Sequence, residues 1–188
     1  AAEFRQLGAP YWQVVAIGAV LTLARFSEAF LILRAQSLGL PVALAPVVLV
    51  VMNVVYAGSA YPAGRLSDRV DRRLVLVAGV LALLGADVVL ALAGGVWLVM
   101  AGVVLWGLHM GLTQGLFAAL VADTTPSRLR GAAFGGFNLV SGAAMLVASV
   151  LAGWLWDAYG APATFWAGAG FTAVALLGFS KTLTGGSR

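Results

Sequence analysis

Arg25 and Glu28 stand three residues apart inside one long apolar run, and Asp87 stands alone inside another. A charged side chain at the centre of a bilayer costs about 2.5–3.5 kcal/mol on insertion scales, so something must offset it. On a helix, a spacing of three puts Arg25 and Glu28 on one face and within reach of each other, which predicts a buried pair facing a polar cavity. Two uses fit such a pair. It is either a structural ion pair that fixes helix packing, or a substrate anchor beside a carboxylate that loads and releases a proton. Ionisable groups inside a membrane favour the second use. His109, the single histidine, titrates near neutral pH when unperturbed, which suits proton traffic as well as a packing hydrogen bond.

Bond-making chemistry has little support. No His-Glu-x-x-His helix, phosphate loop or nucleophile elbow occurs. With no Cys and one His, there is no disulfide, thiolate metal site or multi-histidine zinc site, and neither cofactor nor metal is expected. The chain does not read as an enzyme.

The elements that must carry these residues are hydrophobic. Of 188 residues, 62% are hydrophobic and 10% charged, against about 25% charged in globular domains. Mean hydropathy is +1.00, which excludes a water-soluble domain. Six apolar runs can be cut, at 11–33, 42–61, 74–92, 96–121, 132–156 and 163–180. Each is near or above the roughly 17–25 residues that carry a helix across about 30 Å of hydrocarbon. Runs this long and uniform lack the alternation of a β-barrel. The expected fold is an all-α membrane protein, a single six-helix transmembrane domain over 1–188. The first run is too long for a signal peptide and is expected to remain as a span. The chain begins at Ala1 without Met and closes on Thr184, Gly185, Gly186, Ser187 and Arg188, a flexible end consistent with processing or trimming.

Charge sets the expected topology. Arg5, Arg65, Arg69, Arg72, Arg73, Arg128, Arg130, Lys181 and Arg188 fall in segments on one side, and Arg34 alone falls on the other. By the positive-inside rule both termini are cytoplasmic, and the expected location is the bacterial inner (cytoplasmic) membrane. The net charge of +4 and pI near 10.1 are explained by arginines facing anionic lipid head groups, with no nucleic-acid partner implied.

The chain also repeats itself. Gly64, Leu66 and Asp68 after the second run recur as Gly153, Leu155 and Asp157 after the fifth. An odd number of spans separates the copies, so they face opposite sides of the membrane, the signature of an inverted three-plus-three repeat. A helix end that merely suits Gly-x-Leu-x-Asp is the alternative.

At these residues the sequence resembles the major facilitator superfamily of secondary transporters, whose loop between the second and third helix of each half reads Gly-x-Leu-x-Asp-Arg-x-Gly-Arg-Arg/Lys. Gly64, Leu66, Asp68, Arg69, Arg72 and Arg73 match, and Asp71 departs where the family usually has Gly. Asp123, Pro126, Arg130 and Gly131, then Gly153, Leu155, Asp157, Gly160 and Phe165, extend the resemblance over nearly the whole chain. Members have twelve helices in two six-helix halves, so this chain resembles one half. The Arg early in the fourth helix of N-terminal halves is missing from Leu105, Trp106, Gly107, Leu108, His109 and Met110, which makes the C-terminal half the better match.

The resemblance implies roles. The first and fourth helices of a half line the central cavity, with the second and fifth beside them and the third and sixth outside. Arg25 and Glu28 then face the path, and His109, Thr113, Gln114, Asn53, Tyr56 and Asn138 become substrate- or proton-pathway candidates. The amides and Thr113 serve equally as interhelical glue. Asp87 falls on a peripheral helix and reads as interfacial or structural. The motif from Gly64 to Arg73 implies a cytoplasmic latch to the other half, with Asp68 near a helix terminus whose dipole favours an acid; the arginines serve topology as well. Gly107, Gly111 and Gly115 recur every four residues and predict a close helix contact.

The expected function is transport of a small solute by alternating access, coupled to protons through Glu28. The partners are the bilayer, the solute, and either the other half or a second copy of this chain. A membrane scaffold that moves nothing is the reading from another class.

Overall fold

The computed structural model describes the backbone of residues 6–184 and side chains as far as Leu177. Arg5, the side chain of Lys181, and Gly185, Gly186, Ser187 and Arg188 lie outside the described residues. Seven α-helices and no strand are found among those described: α1 (Ala9–Ala24), α2 (Ala29–Ser37), α3 (Ala45–Ser67), α4 (Arg72–Leu92), α5 (Val96–Asp123), α6 (Arg130–Tyr159) and α7 (Ala161–Thr184). Five apolar elements are long enough to cross a membrane, and α7 adds a sixth that is apolar over Ala161–Leu177.

The first span differs from its expected form. The continuous helix expected over 11–33 is two helices, α1 and α2, separated at Arg25–Glu28. Arg25 is extended (φ −114°, ψ 100°) and ends α1. The Ser27 amide donates to Ser149 Oγ (3.2 Å), and Ser27 Oγ accepts from the Ala29 amide (3.3 Å). These local bonds take up groups that a continuous helix would have paired, a competition to which Ser is prone. Arg25, Ser27 and Glu28 make the break itself polar, but the apolar run resumes at Ala29, so hydropathy averaged over a span passes across it.

At their other ends the helices outrun the apolar segments. Helix α3 continues to Ser67 and α6 runs from Arg130 to Tyr159, because backbone pairing stops at a cap, whereas long charged side chains can reach the interface from inside the last turn. The α6–α7 turn needs Gly160, whose φ of 86° is left-handed.

Close approaches fix the direction of each helix. Gly79 on α4 meets Leu112 and Thr113 of α5 while Gly102 meets Leu90, so α4 and α5 are antiparallel. Gly107 and Gly111 of α5 meet Met52 and Ser59 of α3 in ascending order, so these run parallel. Tyr11 Oη donates to the Ala133 carbonyl (3.0 Å) and Gly18 packs on Phe137, making α1 parallel to α6. Only residues 124–129 join α5 to α6, which turns the chain back, so the C-terminal ends of α3 and α6 lie at opposite ends of the bundle. Helix α5 is central, touching α1, α2, α3, α4 and α6.

Packing decides the place of two charged residues. Arg34 is not a loop cation: it lies on α2, buried, and its guanidinium donates to the carbonyls of Leu90 (3.0 Å), Ala91 (3.4 Å) and Ala93 (2.8 Å). It thereby satisfies carbonyls that the end of α4 leaves unpaired. Of its two expected roles, interfacial or structural, Asp87 takes the structural one: it is fully buried against α7, where Thr172 donates to its Oδ2 (3.5 Å) and Gly168 leaves room for the carboxyl, and its Oδ1 has no partner among the described residues.

Candidate functional site

Three helices surround a cavity of about 320 Å³. From α1 and its C-cap come Gly18, Leu21, Thr22 and Arg25; from α5 come His109, Thr113, Gln114, Phe117 and Ala118; from α6 come Phe134, Phe137, Asn138 and Ser141. On α1 and α6 these residues recur at i, i+3, i+4 and i+7, the spacing of one helix face. Gly18 matters by what it lacks, since a Cβ there would fall 2.6 Å from the Phe137 ring. That ring in turn stacks on Phe117, with centroids 6.2 Å apart.

The polar side of the cavity is held from behind. His109 is buried and its Nδ1 lies 2.8 Å from the Gly79 carbonyl. A carbonyl only accepts, so in the neutral ring Nδ1 carries the proton and Nε2 is the basic nitrogen. Thr113 Oγ1 donates to the His109 carbonyl (2.8 Å). Arg25 lies close enough to His109, Glu28 and Tyr56 to act on each electrostatically. Yet no hydrogen bond or ion pair within 4.0 Å holds its guanidinium among the described residues.

The expected pairing of Arg25 with Glu28 on one helix face is therefore not what forms. Helical geometry ends at Arg25, and Glu28 caps the next helix, half-buried and outside the cavity wall. Of the other pathway candidates, His109, Thr113, Gln114 and Asn138 line the cavity with Arg25, while Asn53 and Tyr56 do not. Asn53 is exposed on α3 and its side-chain amide donates to the Leu49 carbonyl (2.8 Å). Tyr56 is half-buried against the core beside the break.

Above the break lies a cluster that sequence reasoning missed. Phe26 packs against Phe30, Trp106 and Phe165 at centroid distances of 5.3, 5.5 and 5.4 Å, and Phe30 against Trp156 at 5.8 Å. Along α5 the order is Trp106, then the cavity residues from His109 to Ala118, so the cluster lies beyond the cavity toward the start of α5. Contributions from four separate elements leave no periodic signal to read. The cavity phenylalanines were missed as well, although Phe134 and Phe137 share the helix face of Asn138, a spacing that could have found them.

The glycine repeat of α5 divides. A Cβ on Gly107 would fall 2.5 Å from the Met52 carbonyl oxygen and one on Gly111 would collide with Ser59, so both admit α3; Gly115 faces open space. In the loop motif, Gly64 and Leu66 end α3, Asp68 is its exposed C-cap, and Arg69 is exposed. The acid at the start of α4 is Asp71, not Asp68: its carboxylate accepts from the Arg73 amide (2.9 Å). Arg72 pairs with Asp123 at the end of α5, and Arg73 is exposed.

Residues 14–184 match the Major Facilitator Superfamily. An uncharacterised MFS-type transporter of Methanocaldococcus jannaschii is 32% identical over 152 residues, 76% of this chain and 37% of that protein. Uncharacterised proteins of Mycobacterium bovis and Mycobacterium tuberculosis are each 30% identical over 152 residues, 80% of this chain and 37% of theirs. The matched segment thus spans 37% of the length of these curated relatives.

Proposed function

The chain belongs to the major facilitator superfamily, and from that premise we propose that it is one six-helix half of a secondary transporter, moving a small solute by alternating access with proton coupling. The observation that carries this reading is the cavity itself. It gathers Arg25, His109, Thr113, Gln114 and Asn138 from the first, fourth and fifth spans, that is, from both three-span groups. A polar site at the interface of two such repeats is where a secondary transporter of this kind holds its solute. The broken first span adds mobility where it counts, since an interrupted helix lets α1 and α2 move as separate pieces about Arg25–Glu28.

The inverted repeat is supported by which helices touch. When the first three spans are exchanged with the last three, the contact of α3 with α5 becomes that of α6 with α1, and α4 with α5 becomes α7 with α1. The contact of α4 with α7 maps onto itself. The second half comes from the rest of a longer polypeptide or from a second copy. In either case it meets the exposed residues of the loop motif, Asp68 and Arg69 among them, as a latch, and the termini and that loop face the cytoplasm of a bacterial inner membrane.

Glu28 takes the proton step, standing beside the one cavity cation, with His109 as a second proton acceptor on the wall. The test is solute flux into proteoliposomes carrying the complete transporter that contains this chain, measured across pH. Glu28→Gln should abolish proton-coupled flux while the protein still expresses and inserts. An unchanged pH dependence removes Glu28 from the mechanism.

A further inference from the structure

The charge balance of the cavity narrows the solute. Arg25 is the one permanently charged residue among those that line it, and no Asp or Glu does so. Arg25 lines the cavity, and its guanidinium has no hydrogen-bonded or ion-paired partner among the described residues. Removing such a cation from water is costly unless a counter-charge satisfies it. Glu28, the nearest acid acting on it, stands outside the wall. A cationic solute would meet Arg25 head-on and gain no carboxylate in return. A sugar would meet too few polar groups on the side walled by Phe117, Phe134 and Phe137. That aromatic wall calls for an apolar body, and about 320 Å³ lies at the small end of the roughly 300–1,000 Å³ of ligand pockets.

We infer that this cavity takes a small organic anion with an apolar body, its carboxylate set on Arg25 and its body against Phe117, Phe134 and Phe137. The inference rests on the cavity being the solute site. A planar guanidinium suits the acid group because it can donate two parallel hydrogen bonds to one carboxylate. Asn138, Gln114 and Ser141 supply further hydrogen-bonding groups at the rim.

Three probes of one shape and different charge decide the matter: benzoate, benzyl alcohol and benzylamine. The readout is the thermal unfolding midpoint of the complete transporter in detergent, titrated with each probe. Benzoate should raise the midpoint, benzyl alcohol should raise it less, and benzylamine should leave it in place. Arg25→Gln should weaken benzoate by at least about tenfold, the loss expected when a charge-assisted hydrogen bond is removed. Arg25→Lys, which keeps the charge but not the bidentate fork, should retain part of the benzoate shift, more than Arg25→Gln does, and guards against a variant that fails to fold. A midpoint unmoved by benzoate, one raised equally by benzylamine, or an Arg25→Gln protein that binds benzoate as before overturns the inference. Flux of a neutral or cationic solute with benzoate inert would overturn it and leave transport standing. A benzoate shift that depends on Arg25, in a protein with no flux of any solute, would strike transport and leave the binding site.

Discussion

Arginine has two different fates in this chain, and the difference lies in what each guanidinium finds. Arg34 finds three carbonyls at the end of α4 and is used up as a cap; Arg25, nine residues earlier, lines the cavity and finds none among the described residues. Hydropathy put Arg25 inside the first apolar run and Arg34 just outside it, yet it is Arg34 that is spent on packing. The cap is a stability device, so Arg34→Gln should lower unfolding stability by about 1.5–3 kcal/mol, the range for hydrogen bonds to a charged group. Chemical unfolding in detergent reads that cost, and a variant as stable as the parent would show that the carbonyls find other partners. Asp87 shows the same dependence on surroundings. Gly168 and Thr172 receive its carboxyl inside the α4–α7 contact, and neither residue is near it in sequence.

At the scale of elements, the loop between α3 and α4 separates two acids that look interchangeable. Asp71 caps α4, whereas Asp68 caps nothing with its side chain and remains exposed. Loss of a side-chain N-cap costs about 0.5–2 kcal/mol, so Asp71→Ala should reduce unfolding stability by that amount. Asp68→Asn should leave stability alone and instead shift the inward–outward distribution of the complete transporter, read by distances between spin labels on the two halves. Equal stability losses for both variants would contradict this division. The Arg72–Asp123 pair beside them is well exposed, with 40% and 60% of the side chains accessible, and contributes about 0–1 kcal/mol. The glycines of α5 make the same point about helix faces. Their spacing predicted a close contact, and α3 fills it at Gly107 and Gly111, but the contact runs out before Gly115.

At the scale of the molecule, the inverted repeat makes a claim that labelling can test cleanly, because the chain has no cysteine of its own. Cysteines placed singly at positions 68 and 157 should react with membrane-impermeant reagents from opposite sides of oriented vesicles. Reaction from one side alone would rule out two oppositely oriented triplets and the transport reading built on them. Membrane residence, an all-helical chain of five to six long apolar helices, the resemblance of the Gly64–Arg73 loop to the superfamily and most polar cavity residues could all be read from the amino-acid order. They depend on composition, on run length set by bilayer thickness, and on spacing along single helices, all of which are local. The break at Arg25–Glu28, the separation of those two side chains, the capping by Arg34, the burial of Asp87 and the aromatic cluster around Phe26 were decided only by tertiary packing. Each depends on a partner many residues away, such as Ser149, Ala93, Thr172 or Phe165, and hydropathy and period say nothing about which distant group a side chain will meet.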